Sequence, residues 1–237
     1  MTRLDIFGLE GIGEIQPGDD LAGLIVEAAA STAHQLVDAD VVVVTQKIVS
    51  KAENRLVPID PGDPRGHAAV VEAESIRVLR RRGDLVITET AHGFVCANAG
   101  VDVSNVERGW AALLPIDSDR SARRIRDGIR ARSGADVAVI VSDTFGRAWR
   151  RGLTDVAIGC AGIGATVDYR GTEDATGREL QVTEVAVVDE LAGAAELVMG
   201  KASGVPVAVV RGVPTEWLRR GDVRSEIVRP PHEDLFR

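Results

Sequence analysis

Five apolar runs rich in β-branched residues constrain this chain more than any other feature: Val41–Val44, Leu85–Thr88, Val137–Val141, Val182–Val188 and Val205–Val210. Runs of this length, bounded by polar and glycine-containing segments, read as buried strands. Helical patterns lie between them. From Asp20 to Val37, Leu21, Leu24, Ile25, Ala28 and Ala29 fall on one stripe, with Asp19 and Asp20 at the electropositive N-terminal end. Further helices are expected from about Ala68 to Arg81, from Ser121 to Ser133, and from Asp189 to a glycine stop at Gly200. Pro58–Gly66 reads as a loop. Strands and helices do not alternate regularly, because the run at Val182–Val188 follows a long polar, glycine-rich stretch from Gly159 to Gly177. The expectation is a mixed α/β (α+β) fold of two lobes, neither Rossmann nor P-loop, with no internal repeat.

Composition removes several functions. The 237 residues carry a net charge of −8 with only 4 Phe, 3 Trp and 1 Tyr, so both the basic excess and the stacking platforms of a general nucleic-acid binder are missing. An apolar content of 45% argues against disorder. No apolar run reaches the roughly 18 residues of a membrane span, and Met1–Asp5 does not read as a signal peptide, so the expectation is a cytoplasmic protein with no membrane partner. Cys96 and Cys160 lack metal-ligand spacing and read as buried thiols.

Chemistry concentrates in a few places. At Val137–Arg147 an apolar strand runs into Asp143, Thr144 and Gly146. Asp143 with the Thr144 hydroxyl suits a hard cation such as Mg2+ or Mn2+, and Asp143 equally suits the cap of a following helix. In Cys96–Asn105, Asn98 reads as an Asx turn, whereas Asp102 and Asn105 become ligands if Asp143 lies nearby. Arg147 and Arg150 share a face if their segment is helical, a phosphate clamp or a solvated surface, with Trp149 between them suggesting a buried edge. The chain has three lysines, Lys47 and Lys51 after one strand and Lys201 at the Gly200 turn, which suggests that all three face a phosphate-bearing ligand. Gly11-Ile-Gly13 lacks a third glycine and Gly200-Lys201-Ala202 lacks the rest of a Walker loop. Met199–Gly204 fits phosphate binding or a helix stop followed by a turn. The four scattered histidines support neither zinc nor a hydrolytic triad.

Taken together, Val49–Glu53, Asn98–Glu107, Ser142–Arg147, Arg150–Gly152 and Gly177–Leu180 resemble the coenzyme F420-0:γ-glutamyl ligase family, in order and over nearly the whole chain. The resemblance implies a homodimer with a fold of its own that adds L-glutamate to the deazaflavin precursor F420-0, using GTP, two Mg2+ or Mn2+ ions and a monovalent cation such as K+. Position by position, it implies Asp102, Asp143 and Thr144 as metal ligands, with Asp102, Asp143 and Arg147 acting in catalysis. Gln46, Lys47, Lys51 and Asn105 would touch the nucleotide. Ile12, Gly13, Glu14 and Ile15, with Met199, Gly200, Lys201, Ala202, Ser203, Gly204, Val205 and Pro206, would complete the GTP pocket. Lys201 stands where some relatives carry an acidic residue, and Val228–Arg237 resembles a connector to a further flavin-binding domain. A metal-dependent phosphohydrolase and a nucleotide-binding module are the alternatives.

Overall fold

The computed structural model describes residues 3–32, 34–60, 62 and 66–236. In chain order its elements begin β1 (Asp5–Gly8), α1 (Leu21–Ala30), β2 (Val41–Thr45), α2 (Gln46–Ala52), β3 (Leu56–Pro58) and α3 (Gly66–Glu74). There follow β4 (Ser75–Arg82), β5 (Leu85–Thr90), β6 (Val95–Ala97), β7 (Trp110–Ala112), α4 (Ser118–Ser133), β8 (Ala138–Arg147) and β9 (Arg150–Ala161). The chain closes with β10 (Val167–Asp168), β11 (Glu184–Val185), α5 (Val187–Met199), β12 (Val207–Arg211) and α6 (Val223–Glu226).

The runs at Val41–Val44, Val137–Val141 and Val205–Val210 supply β2, β8 and β12 of a five-stranded sheet of order β1-β12-β2-β8-β9, in which only β2 and β8 are parallel. Alternate residues of each strand point to opposite faces, and both faces are covered. Val42, Val44, Val139 and Val141 pack with Leu21 and Ile25 of α1 and Ile125 and Ile129 of α4. Val41, Val43, Ala138 and Ile140 pack with Leu191, Ala192 and Ala195 of α5. A three-stranded sheet, β4-β5-β6, and the β3-β7 pair stand apart from this three-layer body, and Val71, Ala99, Val101, Ala111 and Leu113 form a smaller core beside them. The fold is mixed α/β and lacks the alternating parallel order of a Rossmann sheet.

Several elements depart from their sequence expectation. Helix α1 ends at Ala30 rather than Val37, because the hydroxyls of Ser31 and Thr32 turn back onto the carbonyls of Ala28 (2.8 Å) and Ala29 (2.9 Å) and close the last turn. The expected Ala68–Arg81 helix divides at Ser75, whose Oγ donates to Val71 O (2.5 Å), and the chain continues as β4 paired to β5. Val182–Val188 is not a strand beyond Glu184–Val185. Val187 and Val188 begin α5, since helical spacing with Leu191 buries both against the large sheet. Of the expected Pro58–Gly66 loop, residues 61 and 63–65 lie outside the described residues. Asn98 is the turn residue expected: its φ is +50° and its Oδ1 accepts from Val86 N (3.0 Å).

Candidate active site

Strands β2 and β8 run parallel, so their carboxyl ends, at Thr45 and Ser142, open on the same side of the sheet. Ligand groups collect at such an edge. A cleft of about 420 Å3 lies there, walled by the Ile12–Ile15 loop, the start of α2, Ser142–Thr144, and the turn from Gly200 to Pro206. All three lysines of the chain line it.

Strand β8 does not stop at Asp143. It runs on to Arg147 and returns as β9, with Asp143 opposite Val156 and Thr144 opposite Asp155. No helix follows, so Asp143 caps nothing and its carboxylate is left for the cleft. It takes the Thr144 backbone N–H, and among the described residues no side chain donates to it. Burial, reinforced by the charges of Asp102 and Asp155, pushes its pKa up to about 7.

Asp102 approaches from the smaller sheet. Its backbone pairs both ways with Ala112 (3.0 and 2.8 Å), and its Oδ1 accepts from Ser104 N (2.7 Å). Lys47 Nζ lies 2.9 Å from Asp102 Oδ2. Burial pushes the Asp102 carboxyl up, but Lys47 and the Ser104 N–H outweigh it and hold the pKa below the ordinary value. Asp102 therefore stands behind Lys47, outside the cleft lining, near enough for its charge to act on Asp143.

Helix α2 positions two lysines one turn apart. Lys47 faces Asp102, and Lys51, nearly buried, pairs with Glu14 and so pins the Ile12–Ile15 loop to the cleft wall. Gln46 also lines the cleft, although its Nε2 is engaged by Ser50 Oγ (2.6 Å) and Leu113 O (3.0 Å), which ties α2 to the smaller core.

Of the residues singled out from sequence, Ile12, Gly13, Glu14, Ile15, Gln46, Lys47, Lys51, Asn105, Asp143, Thr144, Gly200, Lys201, Ala202, Gly204, Val205 and Pro206 converge on the cleft. Met199 is instead a core residue against Leu191 and Ala195, and Ser203 turns its Oγ onto Met199 O. Arg147 lies away from the cleft at the tip of the β8–β9 hairpin, donating to Arg151 O (3.1 Å). The arginines there are on a hairpin rather than a helix face. Trp149, at φ +60°, is 84% exposed beside Phe236 (5.2 Å between rings) and forms no buried edge.

Two acidic residues were not anticipated. Asp155, buried in the apolar strand Leu153–Ala161, accepts from Thr144 Oγ1 (2.6 Å) and Ser142 Oγ (3.0 Å). Glu196 reaches the cleft from the last turns of α5, and burial together with the Asp155 charge pushes its pKa up. A lone acid inside an apolar strand was the available signal for Asp155; Glu196 sits in an ordinary helix pattern and gave none. Thr45, Ile48 and Ser142 complete the lining.

The acids of the cleft offer the oxygen donors that a hard cation takes, and Asp143 is among its lining residues. Among the described residues, however, no three acidic, thiol or imidazole groups are gathered into a ready-made cage. Two carboxylates that leave room for phosphate oxygens and water are the arrangement Mg2+ takes in nucleotide sites. Cys96 and Cys160 are free and buried, with burial pushing the Cys96 thiol up to about 12 and Cys160 also upward, which disfavours the thiolate at both. Among the described residues, no helix is long and apolar enough to cross a membrane.

The cleft residues fall within a match that covers residues 11–212 to the sequence profile of the F420-0:Gamma-glutamyl ligase family. The coenzyme F420:L-glutamate ligase of Methanothermobacter thermautotrophicus is 41% identical over 99% of each chain. The proteins of the same name from Methanopyrus kandleri and Methanococcus maripaludis are 43% and 36% identical, over 94% of each chain and over 100% of this chain and 98% of the other. A profile match from the Gly11 loop through the last strand of the large sheet, with relatives aligned essentially end to end, shows that this chain belongs to the F420-0:γ-glutamyl ligase family.

Proposed function

We propose that the protein is a GTP-dependent ligase that joins L-glutamate to the carboxylate of the deazaflavin precursor F420-0. The observation that carries this reading is the convergence of Lys47, Lys51 and Lys201 with Asp143 on one cleft at the carboxyl ends of β2 and β8. Lysine is scarce in this chain and absent elsewhere, and such a cluster suits a polyphosphate. A carboxylate and an amine do not condense unaided in water, so the acid must be activated. In the proposed sequence the F420-0 carboxylate attacks the γ-phosphate of GTP, forming an acyl phosphate and GDP. The amine of L-glutamate then attacks the acyl carbon, the C–O bond to phosphate breaks, the amide forms, and the amine loses a proton.

The chain's own contribution is positioning and charge. The Gly200–Pro206 turn and the Ile12–Ile15 loop would wall the nucleotide, Lys47 would offset charge near the transferring group, and the Lys51–Glu14 pair holds the loop to the cleft wall. Asp143 and Asp102 would hold a Mg2+ or Mn2+ ion. When bound, that ion neutralises charge on the phosphate oxygens. We also infer a homodimer in a cytoplasmic setting: the β4-β5-β6 sheet leaves Ile76, Val78, Leu85 and Val95 exposed, and the thiols are free.

The test is direct. Purified protein incubated with GTP, Mg2+ or Mn2+, L-glutamate and F420-0 should yield a product heavier by one glutamyl unit in mass spectrometry, with stoichiometric GDP. Phosphate release without a glutamylated product would assign a phosphohydrolase, and nucleotide binding without turnover a binding module. Either result overturns the reading.

A further inference from the structure

Thr144 and Asp155 face each other across β8 and β9, and the threonine hydroxyl donates to Asp155 Oδ1 (2.6 Å). With its proton engaged, the hydroxyl oxygen presents lone pairs to the cleft. The group that takes them is the ammonium of Lys201. The same ammonium lies 3.5 Å from Asp155 Oδ1 and 3.5 Å from Glu196 Oε1. Two carboxylates and a hydroxyl, all oxygen donors brought together from β8, β9 and α5, thus converge on one cation. That is the donor chemistry of a hard metal ion, with an ammonium in its centre.

We propose that Lys201 is a tethered cation that holds the place of a second metal ion, so that the loaded site binds one divalent ion, at Asp102 and Asp143, where Lys201-free geometry would bind two. The inference rests on the nucleotide-and-metal reading above and refines it. Lys201 already supplies a positive charge to the oxygens of Thr144, Asp155 and Glu196. A second divalent ion would have to displace the ammonium from Thr144. As a positioning residue, Lys201 also differs from a metal ion in its reach: on a flexible four-carbon stem, the ammonium is able to follow the phosphates without leaving the site.

The stoichiometry of Mn2+ decides the matter without reference to turnover. Full-length protein saturated with a non-hydrolysable GTP analogue is titrated with Mn2+, and free Mn2+ is followed by electron paramagnetic resonance. Wild type should bind one Mn2+ per chain, and Lys201→Ala and Lys201→Gln should each bind two. The Lys201 side chain is 55% exposed, so both variants should keep the wild-type circular dichroism spectrum. Two ions in wild type, or one in both variants, would overturn the role of Lys201 and leave the broader reading intact. Absence of Mn2+ binding in every form would overturn that broader reading, and this inference with it.

Discussion

At Asp143 burial and crowding by like charge act in the same direction, so a carboxyl that titrates near 3.8 in an open chain titrates at about 7 here. Between those two values the unfolded chain is ionised while the folded chain retains its proton. The folded state therefore binds more protons, and stability falls as pH rises through that window and is level above it. Asp143→Asn removes the penalty. Its melting temperature relative to wild type should rise between pH 4 and pH 7 and stay constant above, while glutamate transfer is lost; a difference independent of pH would contradict the buried-carboxylate account. At this scale sequence was most informative for residues whose chemistry is local. Asn98 could be read as a turn because its side chain serves the chain twelve residues upstream through a short loop. Asp155 could not, since it becomes a site residue only through antiparallel registry with Thr144.

The junction of α4 with β9 shows how closely the elements around the cleft are fitted. Asp119, in the first turn of α4, accepts from the backbone N–H of Cys160 (2.8 Å), Val223 (2.9 Å) and Arg224 (3.2 Å), binding helix, strand and α6 into one unit. The helix can come so close because residue 159 is glycine: a Cβ there would stand 2.3 Å from the Ser118 carbonyl carbon and 2.6 Å from the Asp119 nitrogen. Backbone cannot yield as a side chain does. Gly159→Ala should destabilise the fold by about 2–3 kcal/mol and lower the melting temperature by roughly 4–12 °C, measurable by calorimetry; an unchanged transition would show that α4 shifts freely. Element type was legible where period and burial agreed, as in Val41–Thr45 and Ser118–Ser133. It failed at Val182–Val188 and at Ile76–Arg81, where the same β-branched or mixed letters suit either state and the neighbouring sheet decides.

Over the whole molecule, two surfaces contrast. The large sheet hides the valines of β2, β8 and β12, whereas the small β4-β5-β6 sheet leaves Ile76, Val78, Leu85 and Val95 in solvent. With β4 at the seam of the proposed homodimer, Ile76→Asp with Val78→Asp should convert a dimer to a monomer in light scattering with little change in far-UV circular dichroism. A dimer that survives both changes would move the interface elsewhere. Sequence alone determined that Val41–Val44 and most of Val137–Val141 and Val205–Val210 become buried strands, because nothing else hides so many β-branched residues, and it pointed to the rare lysines and the Asp143–Thr144 pair that the fold brings to one cleft. It also placed the chain in its family through letters spread from one end to the other. Only the tertiary structure decided that β8 continues past Asp143 into a hairpin, that Arg147 leaves the cleft, and that Asp155 and Glu196 join it around the Lys201 ammonium. Strand period and charge are properties of neighbours along the chain, whereas the meeting of β8, β9 and α5 depends on sheet order and registry, which arise from packing between residues distant in sequence.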